Sequence, residues 1–266
     1  MDYIAQFGMT YNPFIKGLSD VKVELNEYKQ LLYRLKHLES TKGIGIITGE
    51  PGLGKTTAVR YWTNTLNKNA YKVIYMPHAT ISVSEFYKLI ADELGLEVFS
   101  SKRKNFKNIQ NEIKRLVIDK RITPVIIVDE ANSLAPEILN DLKILLNFDM
   151  DSKENVILIL IGQSTLISAL LRKSNEPLKQ RICINYNIQA LKDDDARYYI
   201  DQKLQAAGLH TELLTTEAYN LIIGESKGVP RVINQIMDKA LLFLENMKET
   251  QINEDIALQA IDENNI

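Results

Sequence analysis

The sequence predicts an α/β domain built on a parallel sheet, followed by a small all-helical domain. Residues 124–128 (PVIIV) form a continuous, mostly β-branched apolar run, which is typical of a strand buried on both faces of a parallel sheet. A glycine-rich turn at 49–54 lies between an apolar run and an amphipathic segment, as in a strand-loop-helix unit. Strand-like runs alternate with helical patterns up to about residue 190, and only helical patterns follow. This order favours a three-layer α/β fold with a helical second domain.

The apolar patterns place each element along the chain. Residues 3–25 carry no regular pattern, and a helix with leucines on one side is expected at 27–38. The expected strands are 43–48, 72–76, 124–128, 156–161 and 182–188. The other expected helices are 58–66, 83–94, 109–119, 136–148 and 165–171 in the first domain, then 193–207, 215–223, 232–245 and 253–261. We therefore expect an N-terminal segment (1–25), an α/β domain (26–190) and a helical lid domain (191–266).

Composition and charge are those of an ordinary globular protein of 266 residues. The formal net charge of −2 gives no overall basic character, so contact with nucleic acid would need a local basic patch. The single cysteine, Cys183, excludes an internal disulfide, and its apolar alternating surroundings predict a buried thiol. The three histidines are isolated and form no zinc-ligand pattern. The chain start is not that of a signal peptide and the apolar runs are short, so we expect a cytoplasmic location without membrane association.

Residues 49–57 match the phosphate-binding pattern G-x-x-x-x-G-K-[ST] between a predicted strand and a predicted helix. The glycines allow a tight turn whose N–H groups point at phosphate oxygens, and the helix N-terminus adds its positive dipole. Lys55 can reach the β- and γ-phosphates, and the hydroxyl of Thr56 can bind Mg²⁺. A chance match would occur in about one chain in a hundred of this length. The predicted nucleotide contacts are Gly49, Glu50, Pro51, Gly52, Leu53, Gly54, Lys55, Thr56 and Thr57.

Two acids directly follow the buried run at 124–128. We expect Asp129 to hold Mg²⁺, directly or through water, and Glu130 to polarise the attacking water. Open α/β sheets bind ligands at the carboxyl ends of their strands, which favours this interpretation over a pair of solvated loop acids. Gln163 follows the next expected strand and is a weaker candidate for orienting the same water, because any loop residue can be polar.

With these motifs the chain resembles the AAA+ ATPases, and more closely the ExeA/TnsC/TniB-like group, which includes ATP-dependent regulators of DNA transposition. The resemblance covers almost the whole chain. It implies an AAA+ P-loop domain with a three-layer parallel sheet and a small C-terminal all-helical lid. The matching segments are the opening FG…NPF (7–14), Walker A (49–57), Walker B (127–131), sensor 1 (160–163), the arginine-finger segment (178–182) and sensor 2 (228–234).

The resemblance implies catalytic roles for three further residues. Gln163 corresponds to sensor 1, although Asn, Ser or Thr is more usual there. Arg181 corresponds to the arginine finger, which would enter the neighbouring subunit's site. Arg172 is its competitor, and an ordinary solvated edge charge is the alternative. Arg231 corresponds to sensor 2 and stands at a predicted helix start, where cations are disfavoured, so it would face an ATP phosphate or pair with Glu225.

A basic run stands out from the rest of the chain. Residues 102–121 hold eight basic and two acidic side chains, so the remainder of the chain is near −8. We expect 100–105 to be a loop between two helices, and Lys102, Arg103, Lys104 and Lys107 to contact DNA phosphates. The alternative is a solvated loop. In the initiator-like AAA+ group, which this chain resembles, the helices at this point line a DNA-facing pore, which favours DNA contact. No helix-turn-helix or zinc module is evident in the sequence, so we expect DNA to be bound through its phosphate backbone without sequence specificity.

The resemblance therefore implies an ATPase that uses ATP and Mg²⁺ and assembles on duplex DNA as a hexameric ring or a helical filament. It would direct a transposase to target sites, and hydrolysis would limit the assembly. Two alternatives are the cytoplasmic ATPase of an ExeA-type secretion or envelope system, and a helicase- or clamp-loader-like replication factor. Tyr11, Phe14 and Val21 are candidates for an adenine pocket or for ordinary packing.

Overall fold

The computed structural model describes residues 4, 7–17, 23–77, 80–146, 148 and 155–265. They form two compact units. The α/β unit holds residues 30–51 and 55–188, and the helical unit holds the described residues up to 29, with 52–54 and 189–265. The N-terminal segment thus belongs to the helical unit, and so does the tip of the glycine loop, Gly52–Gly54. Val21, one candidate for an adenine pocket, lies outside the described residues.

The sheet of the α/β unit has five strands in its described part, β1 (Gly43–Thr48), β2 (Tyr71–Met76), β3 (Thr123–Val128), β4 (Ile157–Gly162) and β5 (Ile182–Asn187). They are all parallel, in the order β2-β3-β4-β1-β5. Strands β1 and β4 are buried along their whole length, which explains their continuous apolar sequences. Thr48 pairs with Gly162 and Val128 with Leu160, so β1, β3 and β4 end at one edge of the sheet. The parallel sheet confirms the expected fold class.

Helices accompany the strands in the expected alternation. They are α1 (Asn26–Thr41), α2 (Lys55–Thr65), α3 (Val83–Glu93), α4 (Lys102–Ile118), α5 (Pro136–Leu145), α6 (Thr165–Leu170) and α7 (Glu176–Lys179). Short 3₁₀ turns lie at Ala131–Ser133 and Lys173–Asn175. The bounds differ from the expected ones by at most three residues, except at α4, and the sequence did not predict α7. No helix in the described part of the chain is long and apolar enough to cross a bilayer.

Helix α4 begins at Lys102, so the prediction that the basic residues 102–104 lie in a loop is wrong. The buried side chain of Asn105 explains the early start. Its Oδ1 accepts from the N–H of Phe99 and its Nδ2 donates to the carbonyl of Phe99, each at 2.8 Å. Ile109 and Ile113 continue the same buried face along the helix. The basic side chains are therefore arranged with helical spacing.

Cys183 is exposed, so the predicted burial of its thiol is wrong. It lies on β5, an edge strand in which Ile184 is the one fully buried residue. Its Sγ donates to the carbonyl of Lys42 at 3.2 Å. Alternation along a sequence identifies a strand, but the position of that strand at the sheet edge decides which side chains are covered.

The helical unit contains α8 (Asp193–Ala206), α9 (Thr216–Ser226), α10 (Pro230–Met247) and α11 (Glu254–Asn264). Residues of the N-terminal segment, among them Met9 and Phe14, pack into the same apolar core. Asn12 is fully buried; its Nδ2 donates to Asp238 Oδ1 at 2.7 Å, and its Oδ1 accepts from the N–H of Phe14 at 2.9 Å. The opening NPF is therefore part of the packing of this unit, which accounts for the burial of Phe14.

Lys203 is buried in the helical unit with 8% of its surface exposed. Its Nζ donates to Asn234 Oδ1 at 3.3 Å and lies 5.4 Å from the ring centres of both Phe14 and Tyr199. Burial lowers the pKa of Lys203 from its usual 10.5 to about 8. The unfolded chain therefore binds more protons than the folded chain between those two pH values.

We expect Lys203→Met to flatten the pH dependence of stability. With a depressed lysine pKa, the free energy of unfolding rises as pH goes from about 8 to 10.5 and has no slope from this group below about 8. Across that window the wild type should gain about 3 kcal/mol relative to the variant. Urea denaturation of both proteins at pH 7.5, 9 and 10.5 measures this difference.

Lys192→Met is a matched control, because Lys192 belongs to the same unit and is exposed. It should follow the wild type across the whole pH series. A constant difference between wild type and Lys203→Met would contradict the depressed pKa.

Candidate active site

The glycine loop leads from β1 into the first turn of α2, as its sequence predicts. Gly52 and Gly54 both adopt positive φ, 89° and 85°, which favours glycine. A Cβ on Gly54 would lie 2.2 Å from the hydroxyl oxygen of Tyr28, and one on Gly52 would lie 2.9 Å from Cβ of Arg231. Within the loop Leu53 is buried, whereas Glu50 and Pro51 are exposed. The loop therefore has no room for side chains at two of its glycines.

Lys55 is buried at the start of α2, with 8% of its surface exposed. Its Nζ donates to the carbonyl oxygens of Gly49 and Glu50, at 2.8 and 2.9 Å. The ammonium group consequently lies against the backbone of the loop. Thr56 follows with an exposed side chain, and Thr57 is half-buried.

Asp129 is bound by donors from three directions. Its Oδ2 accepts from Thr56 Oγ1 at 2.8 Å and from the hydroxyl of Tyr75 at 2.9 Å, and its Oδ1 accepts from the N–H of Glu130 at 2.9 Å. The structure thus brings together Thr56 and Asp129, the two predicted metal ligands. Burial and the nearby Asp129 raise the pKa of Tyr75 to about 12, so its hydroxyl stays a donor at neutral pH.

Glu130 follows Asp129 with an exposed side chain and a left-handed backbone, φ 51° and ψ 37°. A residue with a Cβ pays about 1–2 kcal/mol for this conformation, so the position is strained. The turn directs the chain from β3 into the 3₁₀ turn Ala131–Ser133.

Gln163 lies just beyond β4, and its backbone is held by a residue for which the sequence predicted no role. Asn132 Oδ1 accepts from the N–H of Gln163 at 3.0 Å. A Cβ on Gly162 would lie 2.7 Å from that same Oδ1, so the close approach requires glycine. The segment after β3, which carries Glu130, is therefore tied to the segment that carries Gln163.

The two candidate trans-acting arginines differ in their surroundings. Arg181 is half-buried, and its Nη1 donates to the carbonyl of Leu146 at 2.9 Å. Burial lowers the pKa of its guanidinium. Arg172 is exposed.

Arg231 is exposed in the first turn of α10, and its N–H donates to the carbonyl of Gly52 at 3.3 Å. Among the residues that the structure describes, no ion pair joins Arg231 to Glu225; Glu225 Oε1 instead accepts from Asn265 Nδ2 at 3.4 Å. The sensor 2 candidate therefore starts a helix whose N-terminus contacts the glycine loop.

The basic side chains of α4 and the residues just after it are all exposed. Lys102 is nevertheless paired with Asp141 at 2.5 Å and lies 5.5 Å from the ring centre of Tyr87. Arg115 is bound to Glu112 by two hydrogen bonds of 2.7 Å. The exposed side chains that recur on the opposite face of the helix are Arg103, Lys107 and Lys114.

The described residues fit a nucleotide with a divalent cation. The loop excludes side chains where phosphates would approach a helix N-terminus, and Thr56 and Asp129 supply the oxygen ligands that Mg²⁺ prefers. Sequence reasoning missed Tyr75 and Asn132. Neither belongs to a motif, and their contacts arise only from the alignment of neighbouring strands.

A model of the AAA domain family matches residues 37–171, half of the chain. This chain belongs to the AAA+ ATPases. It is 30% identical over 245 residues to the general secretion pathway protein A of Aeromonas hydrophila, covering 90% of this chain but only 44% of that relative. It is 26% identical over 245 residues to the ATP-dependent target DNA activator B of Escherichia phage Mu, covering 91% of this chain and 72% of the relative.

The crystal structure of Cdc6p from Pyrobaculum aerophilum shares the AAA+ fold, with a TM-score of 0.71 at 17% identity. The likeness covers 90% of this chain and 67% of that one. The family match and the two relatives confirm the resemblance to ExeA/TnsC-like AAA+ ATPases that the motifs indicated.

We expect Gly54→Ala to weaken nucleotide binding by at least about tenfold. An alanine would be strained at φ 85° and its Cβ would clash with the Tyr28 side chain, so the loop or Tyr28 must shift, and a shifted loop no longer directs its N–H groups at phosphates. Titration with a fluorescent ATP analogue measures the affinity. The control is Gly224→Ala, since a Cβ there meets nothing within 4 Å. Equal affinities of Gly54→Ala and wild type would show that the loop tolerates a side chain.

Proposed function

We propose that this AAA+ ATPase hydrolyses ATP to ADP and phosphate with Mg²⁺, and that the bound nucleotide controls its assembly on duplex DNA, where it directs a transposase to target sites. The observation that carries the ATPase part is the hydrogen bond from Thr56 to Asp129 beside the exposed Glu130. The transposition part is supported by the likeness to the target DNA activator of phage Mu, of which the chain covers 72%.

The phosphates would bind at the glycine loop. The ammonium of Lys55 already lies at the loop backbone, 2.8 and 2.9 Å from two carbonyl oxygens, and contact with phosphate oxygens would replace these neutral acceptors by charged ones. By its resemblance to the sensor 2 residue, Arg231 would add a second cation, and its side chain is exposed.

Thr56 and Asp129 would hold Mg²⁺, which supplies positive charge next to the phosphate oxygens. Glu130 would accept a proton from the attacking water, because its carboxylate is exposed directly after Asp129. Gln163 would orient that water, and Asn132 would hold the backbone of Gln163 in place at 3.0 Å.

A complete site would form between subunits of a ring or filament, with Arg181 supplied by the neighbour. Arg181 would first exchange its hydrogen bond to the carbonyl of Leu146 for a phosphate contact, which is favourable because phosphate is the stronger acceptor. Arg172 is the competing candidate, since its side chain is already exposed. Contact with the γ-phosphate would close the interface, and hydrolysis would open it.

Duplex DNA would bind along α4 through Arg103, Lys107 and Lys114, with Lys104 beside them. With a rise of 1.5 Å per residue, Arg103 and Lys114 are about 16 Å apart along the helix, or about five base-pair steps. Lys102 is a poor DNA contact, because its partner Asp141 is mostly buried and would lose its cation. This mode reads the phosphate backbone and implies no base specificity.

A second candidate function is that of a secretion or envelope ATPase, and the 30% identity to the general secretion pathway protein favours it. The chain spans 44% of that relative's length. The fold shared with Cdc6p is also compatible with a replication factor that positions another protein on DNA. A DNA-bound regulator would be cytoplasmic.

Glu130→Gln is expected to lower the hydrolysis rate at least about a hundredfold while ATP still binds. Glutamine keeps the length and the strained backbone of the residue but cannot take a proton from water. Phosphate release measures the rate, and a non-hydrolysable analogue measures the affinity. The matched control is Glu137→Gln, an exposed acid on α5, which should behave as wild type. Full activity of Glu130→Gln would assign the base role elsewhere.

Replacing Arg103, Lys107 and Lys114 by Glu should strongly weaken binding to linear duplex DNA and leave nucleotide affinity unchanged. Removing three phosphate contacts lowers the slope of log affinity against log salt by about 2.7. Fluorescence anisotropy across a salt series gives this slope. Electron microscopy with a non-hydrolysable ATP analogue should show nucleotide-dependent rings or filaments on DNA for the wild type and none for the variant.

The control carries the same charge change at Lys36, Lys68 and Lys248, which are exposed and lie outside α4. It should keep the wild-type assemblies. A wild type that binds ATP but ignores DNA at low salt would exclude the transposition role and favour the secretion-type function.

A further inference from the structure

The hydroxyl of Tyr75 contacts the carboxylate on which the proposed magnesium site depends. Tyr75 lies near the end of the edge strand β2, paired with Ile127 of β3. Its hydroxyl donates to Asp129 Oδ2 at 2.9 Å. The backbone pairing of these strands extends to the same residue, because the N–H of Asp129 donates to the carbonyl of Met76 at 2.9 Å. Tyr75 therefore reaches Asp129 from a strand whose alignment is fixed.

The carboxylate of Asp129 determines where the hydroxyl hydrogen of Thr56 points. A carboxylate only accepts hydrogen bonds, so Thr56 must direct its single hydroxyl hydrogen at Oδ2, 2.8 Å away. Its two lone pairs then point elsewhere, and the side chain is exposed. A hydroxyl in this state can serve as a metal ligand without breaking its bond to Asp129.

Thr56 alone would hold Oδ2 by one hydrogen bond. The terminal torsion of an aspartate is broad, so a carboxylate with few partners rotates easily. Within the described part of the chain, the donor to Oδ1 is the N–H of the adjoining Glu130, at 2.9 Å. The Tyr75 hydroxyl is the donor that comes from a different strand, and it restrains the carboxyl plane from outside the Asp129 segment.

We propose that Tyr75 is a positioning residue of the magnesium site, whose hydroxyl fixes the Asp129 carboxylate so that Thr56 presents its lone pairs to the metal. The inference rests on the proposed Mg-ATP function. Tyr75 acts through Asp129 and is not itself a ligand. Loss of the Tyr75 hydroxyl should therefore weaken nucleotide binding only when Mg²⁺ is present. Loss of a residue that contacts the phosphates should weaken binding with or without Mg²⁺.

Tyr75→Phe tests this role because it removes one oxygen atom and keeps the ring. A fluorescent, non-hydrolysable ATP analogue is titrated into wild type and variant, first in excess EDTA and then over a series of Mg²⁺ concentrations. The ratio of the two affinities gives the contribution of Mg²⁺. We expect equal affinities in EDTA and an Mg²⁺-dependent gain about tenfold smaller in the variant, as for the loss of one hydrogen bond to a charged group.

Tyr71→Phe is the matched control. Tyr71 lies on the same strand and, four residues earlier, on the same face, about 13 Å farther from the end where Asp129 lies. It should keep the wild-type gain with Mg²⁺. Thermal denaturation of all three proteins without ligand gives their stabilities, and we expect similar melting temperatures.

The outcomes separate the inference from the function on which it rests. An equal Mg²⁺-dependent gain in wild type and Tyr75→Phe overturns the positioning role. Weaker binding of the variant in EDTA, together with a lower melting temperature, also overturns it, because Tyr75 would then support the fold. A wild type that binds no nucleotide with or without Mg²⁺ overturns the proposed function itself.

Discussion

The hydrogen bond between Thr56 and Asp129 joins the two parts of the proposed nucleotide site, and the rest of that site depends on it. Thr56 belongs to the helix after β1, whereas Asp129 follows β3, and β4 separates these strands in the sheet. The two side chains meet only because the parallel register brings the strand ends to one edge. A slip of one residue in that register would turn Asp129 to the opposite face.

Because the central strands of the sheet are buried, the polar residues of the proposed site lie at the edge where these strands end. Strands β1 and β4 contribute apolar side chains over nearly their whole length, and the polar residues begin where the strands end. The same separation occurs on α4, where Lys102 is held by Asp141 while the cations on the opposite face are exposed. Within one basic run, Lys102 thus links α4 to α5 through Asp141, whereas Arg103, Lys107 and Lys114 face solvent.

The sequence was sufficient for the sheet, for the strand-loop-helix unit of the glycine loop and for placing Asp129 and Glu130 directly after β3, because continuous apolar runs and fixed spacings carry that information. It failed where a side chain acts across the fold. The start of α4 depends on the contact of Asn105 with Phe99, and the exposure of Cys183 depends on the edge position of β5. The contacts of Tyr75 and Asn132 could not be predicted from the sequence, because their partners lie 54 and 31 residues away along the chain.

The left-handed backbone at Glu130 is unfavourable for a residue with a side chain, so glutamate destabilises the turn in which it lies. Glycine would relieve that conformation at no steric cost, and asparagine would relieve part of it. A library of this chain selected only for resistance to heat would therefore favour replacements at the position that should take a proton from water. Under the proposed function, glutamate would persist there only under a demand for turnover, so heat selection and turnover selection would drive this position toward different residues.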